Sequence, residues 1–186
     1  MLRRCKGWDY KGRGIYMLTL VVRNRKRLLG SLIGNPYDAH VEYTELGKSV
    51  NSEVEKIPAH FPQIRILGKQ VMPDHLHMLL FVEKPLPVHL TSVVSGFKYG
   101  CNCRYWDLLP EVANTGHTKD VSCAADFQEA GKMRGFWEDG YHDRILFHTG
   151  QLEAMMRYIH DNPRRALIKH THPDLFKIRE IGRAHV

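Results

Sequence analysis

A stretch of twelve residues, 71–82, constrains the fold more than any other part of the chain. Its sequence is VMPDHLHMLLFV, and after a Pro-Asp turn its side chains alternate as those of a β-strand do. One face of this strand is wholly apolar and carries Leu76, Met78, Leu80 and Val82. His75 and His77 lie together on the other face, ahead of Leu79 and Phe81. Two imidazoles at neighbouring same-face positions can hold one divalent cation.

Charge and composition limit the class of partner and the setting of the chain. The 186 residues carry a formal net charge of +7, which favours an anionic partner such as nucleic acid, although a basic protein without such a partner has the same balance. No apolar run approaches the ~20 residues of a membrane span, and the N-terminus lacks the apolar run of a signal peptide. We therefore expect a cytoplasmic chain that makes no membrane contact.

The cysteines are expected to be reduced thiols in that compartment. There are four of them: Cys5, Cys101, Cys103 and Cys123. Cys101 and Cys103 are separated by one residue, which is too tight for a disulfide framework. The same pair signals a zinc site only weakly.

Turn residues and hydrophobic periodicity divide the chain into strands and helices. Strands are predicted over residues 14–22, 28–33, 63–70, 75–83 and within 136–147. The first helix is predicted to begin at Asn35-Pro36 and end at Pro58, with an apolar stripe of Tyr43, Leu46, Val50, Val54 and Ile57. The second has a stripe of Leu90, Val93, Val94, Phe97 and Cys101. The third follows Gly150, closes at Asn162-Pro163, and carries Leu152, Met155, Met156 and Ile159.

The order of these elements predicts an α+β fold. Leaving aside the short 28–33 segment, strand, helix, strand, strand, helix, strand is the order of a ferredoxin-like antiparallel sheet with helices on one face. The helices then cover the Leu76 face, and the histidines lie on the opposite, open face. The length fits a single domain over residues 1–186, with an irregular insertion at about 107–133 and a basic C-terminal tail.

The third predicted helix carries two polar side chains that could complete a site. Tyr158 and Asn162 are one turn apart and therefore share a face, beside the apolar stripe. Asn162 offers a neutral oxygen that can be a third ligand for a hard cation such as Mg²⁺. Taken singly, Tyr158 also fits the boundary of an amphipathic helix, and Asn162 fits a helix end. A second histidine pair, His170 and His172, has no apolar strand behind it and is assigned no role.

Three motifs together carry a resemblance to a known family: PDHLH at 73–77, the FW and HDR residues within 136–144, and YIHDNP at 158–163. Their order resembles that of REP-associated tyrosine transposases and of the small HUH (His, hydrophobe, His) tyrosine transposases of insertion sequences. The match runs from about Gly14 to Ala166 and leaves out 107–133. The resemblance implies that His75, His77 and Asn162 bind Mg²⁺ or Mn²⁺ and that Tyr158 is the nucleophile.

The resemblance also implies an activity and a substrate. It implies cleavage and joining of single-stranded or hairpin DNA through a 5′-phosphotyrosine, by a monomer or a homodimer. The candidates for phosphate contact are Lys98, Arg144, Arg157, Arg164 and Arg165, and Tyr141 is a candidate for stacking on an unpaired base. Two alternatives stay open: a catalytically inactive protein that binds hairpin DNA, and a metal-dependent hydrolase that uses His75 and His77 with a water nucleophile.

Overall fold

Strands and helices account for most of the described chain. The computed structural model describes Cys5 and residues 7–109 and 135–174. The strands are β1 (Gly14–Val21), β2 (Gly30–Ile33), β3 (His40–Tyr43), β4 (Ile64–Met72), β5 (His75–Val82) and β6 (His142–Leu146). The helices are α1 (Glu45–His60), α2 (Leu90–Asp107) and α3 (Gln151–Thr171). Residues 110–133 of the predicted insertion, with Cys123, and the end of the predicted basic tail lie outside the described residues.

Four of the strands form one antiparallel sheet in the order β4-β5-β1-β6, and β2 and β3 form a separate hairpin. This is the strand order of a ferredoxin-like sheet, so the predicted α+β fold is confirmed. The histidine strand β5 lies inside the sheet, paired with β4 on one side and β1 on the other. Both of its edges are therefore hydrogen-bonded, which gives the histidines a rigid support.

The apolar face of β5 forms the centre of the main core. Its four side chains are completely buried, as predicted: Leu76, Met78, Leu80 and Val82. The stripes of α1 and α2 pack on this face, together with the inward side chains of β1. Burial of an aliphatic side chain of this size contributes about 1.5–3 kcal/mol, so this face anchors the strand from behind.

The third helix packs on the other face of the sheet, the face that carries the histidines. Ile159 of α3 lies against Met17 of β1 and Leu79 of β5, and these three buried residues form a second, smaller apolar cluster. The histidine face is therefore open only in part. By docking there, α3 brings the polar side chains of its own flank to the sheet.

The first helix begins later than the sequence predicted. Thr44, rather than Asn35, is the N-cap of α1, and its hydroxyl accepts a hydrogen bond from the backbone N–H of Gly47. Asn35 lies instead in the turn between β2 and β3, where its side chain accepts from the N–H of Tyr37. Asparagine caps turns and helices by the same hydrogen bond, and the sequence alone did not separate the two uses. Tyr43 consequently belongs to β3 and not to the helical stripe.

The prediction that prolines end two of the helices is also wrong. Pro58 lies within the last turn of α1, and α3 continues through Pro163 to Thr171. A proline inside a helix removes one backbone hydrogen bond. In α3 the apolar stripe continues beyond it, because Ile159, Pro163 and Leu167 are all buried at four-residue spacing. Packing of the second half of α3 compensates for the missing bond.

Lys98 of α2 has a structural contact that its predicted role as a phosphate ligand did not include. Its Nζ donates to the carbonyl oxygen of Glu138 at 2.6 Å and to that of Gly140. The lysine thus fastens the segment before β6 to α2. Burial lowers the pKa of Lys98 to about 8, although the nearby carboxylate of Asp139 opposes this shift.

The lowered pKa of Lys98 makes the stability of the fold depend on pH. Between pH 8 and 10.5 the unfolded chain still binds the proton that the folded chain has released from Lys98. The free energy of unfolding of the wild type is therefore expected to rise with pH across this window, relative to that of Lys98→Met. Urea denaturation of both proteins at about pH 7 and about pH 10 measures the difference. A difference that does not change with pH would contradict the prediction.

Candidate active site

The two histidines of β5 form a compact pair on the face that α3 crosses. Their ring centroids are 4.7 Å apart and the rings meet edge to face. Both histidines are largely buried. The side chain of His75 is 16% exposed to solvent, and the whole residue His77 is 6% exposed. The strand alternation therefore places both imidazoles where the sequence predicted.

Each imidazole has a hydrogen-bond partner at Nδ1. His75 Nδ1 lies 2.6 Å from Oδ1 of Asp74, in the turn that leads into β5. His77 Nδ1 lies 2.9 Å from the hydroxyl of Thr19, its cross-strand neighbour on β1. The second carboxylate oxygen of Asp74 is 3.3 Å from Arg25. These three partners were not predicted, because a threonine in a strand and an arginine in a charged run carry no local signal of function.

Burial, more than the surrounding charges, keeps His77 neutral. Burial lowers the pKa of His77 to about 3, and the neighbouring His75 and Arg25 act in the same direction. Burial also raises the pKa of Asp74, but the hydrogen bond with His75 and the guanidinium of Arg25 outweigh it and leave the pKa below its usual value. At neutral pH the site thus holds a neutral imidazole that can donate a lone pair, beside an ionised carboxylate.

The helix α3 places Tyr158 beside the histidines of the same chain. The centroids of the Tyr158 and His77 rings are 5.5 Å apart. The guanidinium of Arg165 lies 5.6 Å from the centre of the Tyr158 ring. Docking of Ile159 on the sheet fixes this arrangement, since the two residues are adjacent on α3. The predicted nucleophile, one predicted metal ligand and one predicted phosphate contact therefore meet in space.

Asn162 has an incomplete set of hydrogen bonds, which bears on its predicted role as a ligand. It is buried, with 8% of its surface exposed, and its buried Nδ2 has no hydrogen-bond partner among the described residues. A buried amide without a partner is uncommon, and the oxygen and nitrogen of an amide can exchange places by a rotation of the side chain. If the amide is turned by 180°, its oxygen takes the unpartnered position, where it could bind a cation.

A cation held by the histidine pair would need further ligands from other kinds of group. The described residues contain no cluster of three histidine, cysteine or carboxylate side chains that could hold a metal. Two imidazoles would therefore be completed by an amide oxygen or by water. Imidazole nitrogens combined with amide or water oxygens can bind several divalent cations, Mn²⁺ and Zn²⁺ among them. The weak zinc signal of Cys101 has no support, since that thiol is completely buried in the main core.

The remaining predicted DNA contacts divide between the two faces of the sheet. Arg144 of β6 lies opposite Met17, which places it on the histidine face, and its side chain is exposed. Arg157, Arg164 and Arg165 are exposed on α3, and Arg164 lies 3.9 Å from Asp161. Tyr141 is 4% exposed and belongs to the main core. Lys98 is held by the carbonyls described above and is not brought to the histidines.

His142 was not among the predicted site residues. It lies opposite Thr19 on β6, so Thr19 stands between His142 and His77 in one row across the sheet. His142 is exposed, whereas His77 is buried. Only the strand register could have shown this placement, because the two histidines are far apart in the sequence.

Comparison with known proteins supports the fold. No family model matches the chain. A protein of uncharacterised function from Haemophilus influenzae is 23% identical over 169 residues, which cover 86% of each chain. A solved structure of a REP-associated tyrosine transposase bound to a REP hairpin is similar to the chain with a TM-score of 0.55 at 16% identity, covering 89% of this chain and 74% of that one. The chain therefore shares the fold of that transposase, as the sequence resemblance implied. None of the described helices is long and apolar enough to cross a lipid bilayer.

Proposed function

We propose that this chain is a transposase-like DNA endonuclease and strand transferase that cleaves single-stranded or hairpin DNA through a 5′-phosphotyrosine at Tyr158. The observation that carries the proposal is the contact between the Tyr158 and His77 rings within one chain, at 5.5 Å between centroids. This contact brings the residue that carries the proposed nucleophilic hydroxyl next to a pair of possible cation ligands. Neither the strand nor the helix would support this activity alone.

The reaction exchanges one phosphoester for another. The Tyr158 oxygen forms a bond to phosphorus while the bond from phosphorus to the 3′ oxygen breaks. Tyr158 gives up its proton to water, and the departing 3′ oxygen takes one up. The DNA 5′ end is then held on the tyrosine, next to a free 3′-OH. Because a phosphoester remains, another 3′-OH can attack it and join strands without ATP.

The residues around Tyr158 have separate tasks in this proposal. His75, His77 and Asn162 would hold Mg²⁺ or Mn²⁺, and that cation, when bound, withdraws charge from the scissile phosphate. Arg165 lies over the Tyr158 ring and would contact the phosphate that the tyrosine attacks. α3 holds the hydroxyl near its target, and positioning of this kind can contribute about 7–11 kcal/mol to lowering a barrier.

The charge of the chain and its structural similarity support DNA as the substrate. The net charge is +7, and exposed arginines from β6 and α3 lie on the face that carries the histidines or on the helix that covers it. The structurally similar transposase was solved with a REP hairpin, which supports hairpin DNA as the class of substrate. Contacts between arginines and DNA phosphates give a binding affinity that falls as the salt concentration rises.

A covalent trapping experiment tests the proposed function. The purified full chain is incubated with Mn²⁺ and a labelled pool of hairpins whose single-stranded flanks have randomised sequence. The expected result is a protein–DNA adduct that survives denaturation, is lost with EDTA, and maps by mass spectrometry to Tyr158. Salt-dependent binding without an adduct would indicate the inactive DNA-binding protein instead. Cleavage without an adduct would indicate a hydrolase that uses water.

A further inference from the structure

We infer that Thr19 and Asp74 are positioning residues that orient the His77 and His75 rings so that both present Nε2 to one cation. The cation belongs to the proposed function, on which this inference rests. The evidence for the inference is the hydrogen bonding of the two rings. Both contacts are made at Nδ1, at 2.9 Å for Thr19 and 2.6 Å for Asp74. Because Nδ1 is occupied in each ring, Nε2 is the nitrogen left to bind a ligand.

The two partners constrain their rings in different ways. A carboxylate can only accept a hydrogen bond, so the Nδ1 of His75 carries a proton and donates it to Asp74, with Nε2 turned away from this contact. The hydroxyl of Thr19 can donate or accept, so it can follow the proton of His77. We assign Thr19 the accepting role whenever a cation occupies Nε2. Asp74 therefore presets one ligand, and Thr19 adapts to the other.

The backbone holds both partners in place. Thr19 and His77 are direct cross-strand neighbours, so the register of β1 and β5 sets their approach. The turn that carries Asp74 is joined to the segment after β1 by two main-chain hydrogen bonds, from the N–H of Val22 to the oxygen of Asp74 and from the N–H of Leu29 to that of Pro73, at 2.9 and 3.0 Å. A side chain can orient a neighbouring imidazole only if its own position is fixed, and these backbone contacts fix Thr19 and Asp74.

Arg25 supports Asp74 from a backbone conformation that side chains rarely adopt. Asn24 and Arg25 have φ values of 56° and 54°, in the left-handed region. This turn places the guanidinium of Arg25 3.3 Å from Oδ2 of Asp74, the carboxylate oxygen that does not contact His75. Backbone strain of this type persists where the surroundings impose it, and it is concentrated at functional sites. The strained turn is thus the outer support of the His75 side of the site.

The inference is tested by ring tautomers and cation affinity, which do not require DNA. Thr19→Val keeps the shape and strand preference of the side chain, Thr19→Ser keeps the hydroxyl, and Asp74→Ala removes the carboxylate. In metal-free protein, long-range ¹H–¹⁵N spectra report the tautomer of each ring. We expect Asp74→Ala to release His75 from its Nδ1–H form. We expect Thr19→Val and Asp74→Ala each to weaken Mn²⁺ binding by about 10–100-fold, and Thr19→Ser to restore most of it.

A matched control separates positioning from folding. Asp38 is a second turn aspartate, whose side chain accepts a hydrogen bond from the N–H of Asn35 far from the histidines in the chain. Asp38→Ala is expected to change thermal stability without changing Mn²⁺ affinity or the tautomers. Equal Mn²⁺ affinity and unchanged tautomers in Thr19→Val and Asp74→Ala would overturn the inference, as would a wild type that binds no Mn²⁺. The trapping experiment is independent, so an adduct formed despite those results would preserve the proposed function.

Discussion

Replacement of Tyr158 by phenylalanine is expected to abolish the protein–DNA adduct and to reduce DNA cleavage by about 10³-fold or more. The change removes only the hydroxyl, which is the attacking group in the proposed reaction. The ring that contacts His77 and lies beneath Arg165 is kept. Affinity for hairpin DNA is therefore expected to stay within about threefold of the wild-type value, since the phosphate contacts remain. Denaturing gels measure the adduct, and fluorescence anisotropy measures binding.

A matched variant gives this experiment its control. Tyr37 lies in the turn between β2 and β3 and is 97% exposed. Tyr37→Phe makes the same chemical change at a position without a neighbouring ligand and should leave adduct formation unchanged. Cleavage that continues at the wild-type rate in Tyr158→Phe would exclude Tyr158 as the nucleophile and favour a water-dependent hydrolase.

Replacement of His77 by alanine is expected to lower Mn²⁺ affinity by about 10²-fold or more and to eliminate the adduct with it. His77 is the better buried of the two histidines and contacts both Thr19 and Tyr158. The variant therefore loses a ligand and leaves a cavity beneath the nucleophile. Calorimetric titration with Mn²⁺ measures the affinity, and thermal unfolding shows whether the chain still folds.

The second histidine pair of the chain is the control for this loss. His170 and His172 have the same spacing as His75 and His77, but they lie exposed at the end of α3. Replacing both by alanine should leave Mn²⁺ affinity and adduct formation as they are in the wild type. If this double variant lost Mn²⁺ while His77→Ala retained it, the metal site would have been placed on the wrong pair.

Hydrophobic periodicity predicted the main architecture correctly because it reports burial directly. The alternation in β5 and the stripe of α2 both correspond to buried side chains. The boundaries were less predictable, since they depend on hydrogen bonds that one side chain can make in several contexts. Asn35 caps a turn where a helix cap was expected, and Pro163 lies inside a helix whose packing continues past it. Local sequence preferences do not show whether a helix begins after such an asparagine or continues past such a proline.

The candidate site was predictable in its parts but not in its assembly. The strand pattern placed His75 and His77 side by side, and helical spacing placed Tyr158 near Asn162. That the two halves meet depends on α3 docking through Ile159, which no local pattern specifies. Thr19 could not be found at all, because strand register is a property of the folded sheet. The burial of Tyr141 could not be predicted either, since an aromatic beside charged residues has the same local sequence whether it is buried or exposed.

The contact between His77 and Tyr158 within one chain has a consequence for genetics. Two defective alleles, one carrying His77→Ala and the other Tyr158→Phe, would encode proteins that each lack half of the site. Since each chain docks its own α3 on its own sheet, the two products should fail to complement each other, and an equimolar mixture should form no adduct. Restored activity in the mixture would mean that chains exchange α3. If the mixture forms no adduct, each chain uses its own His77 and its own Tyr158.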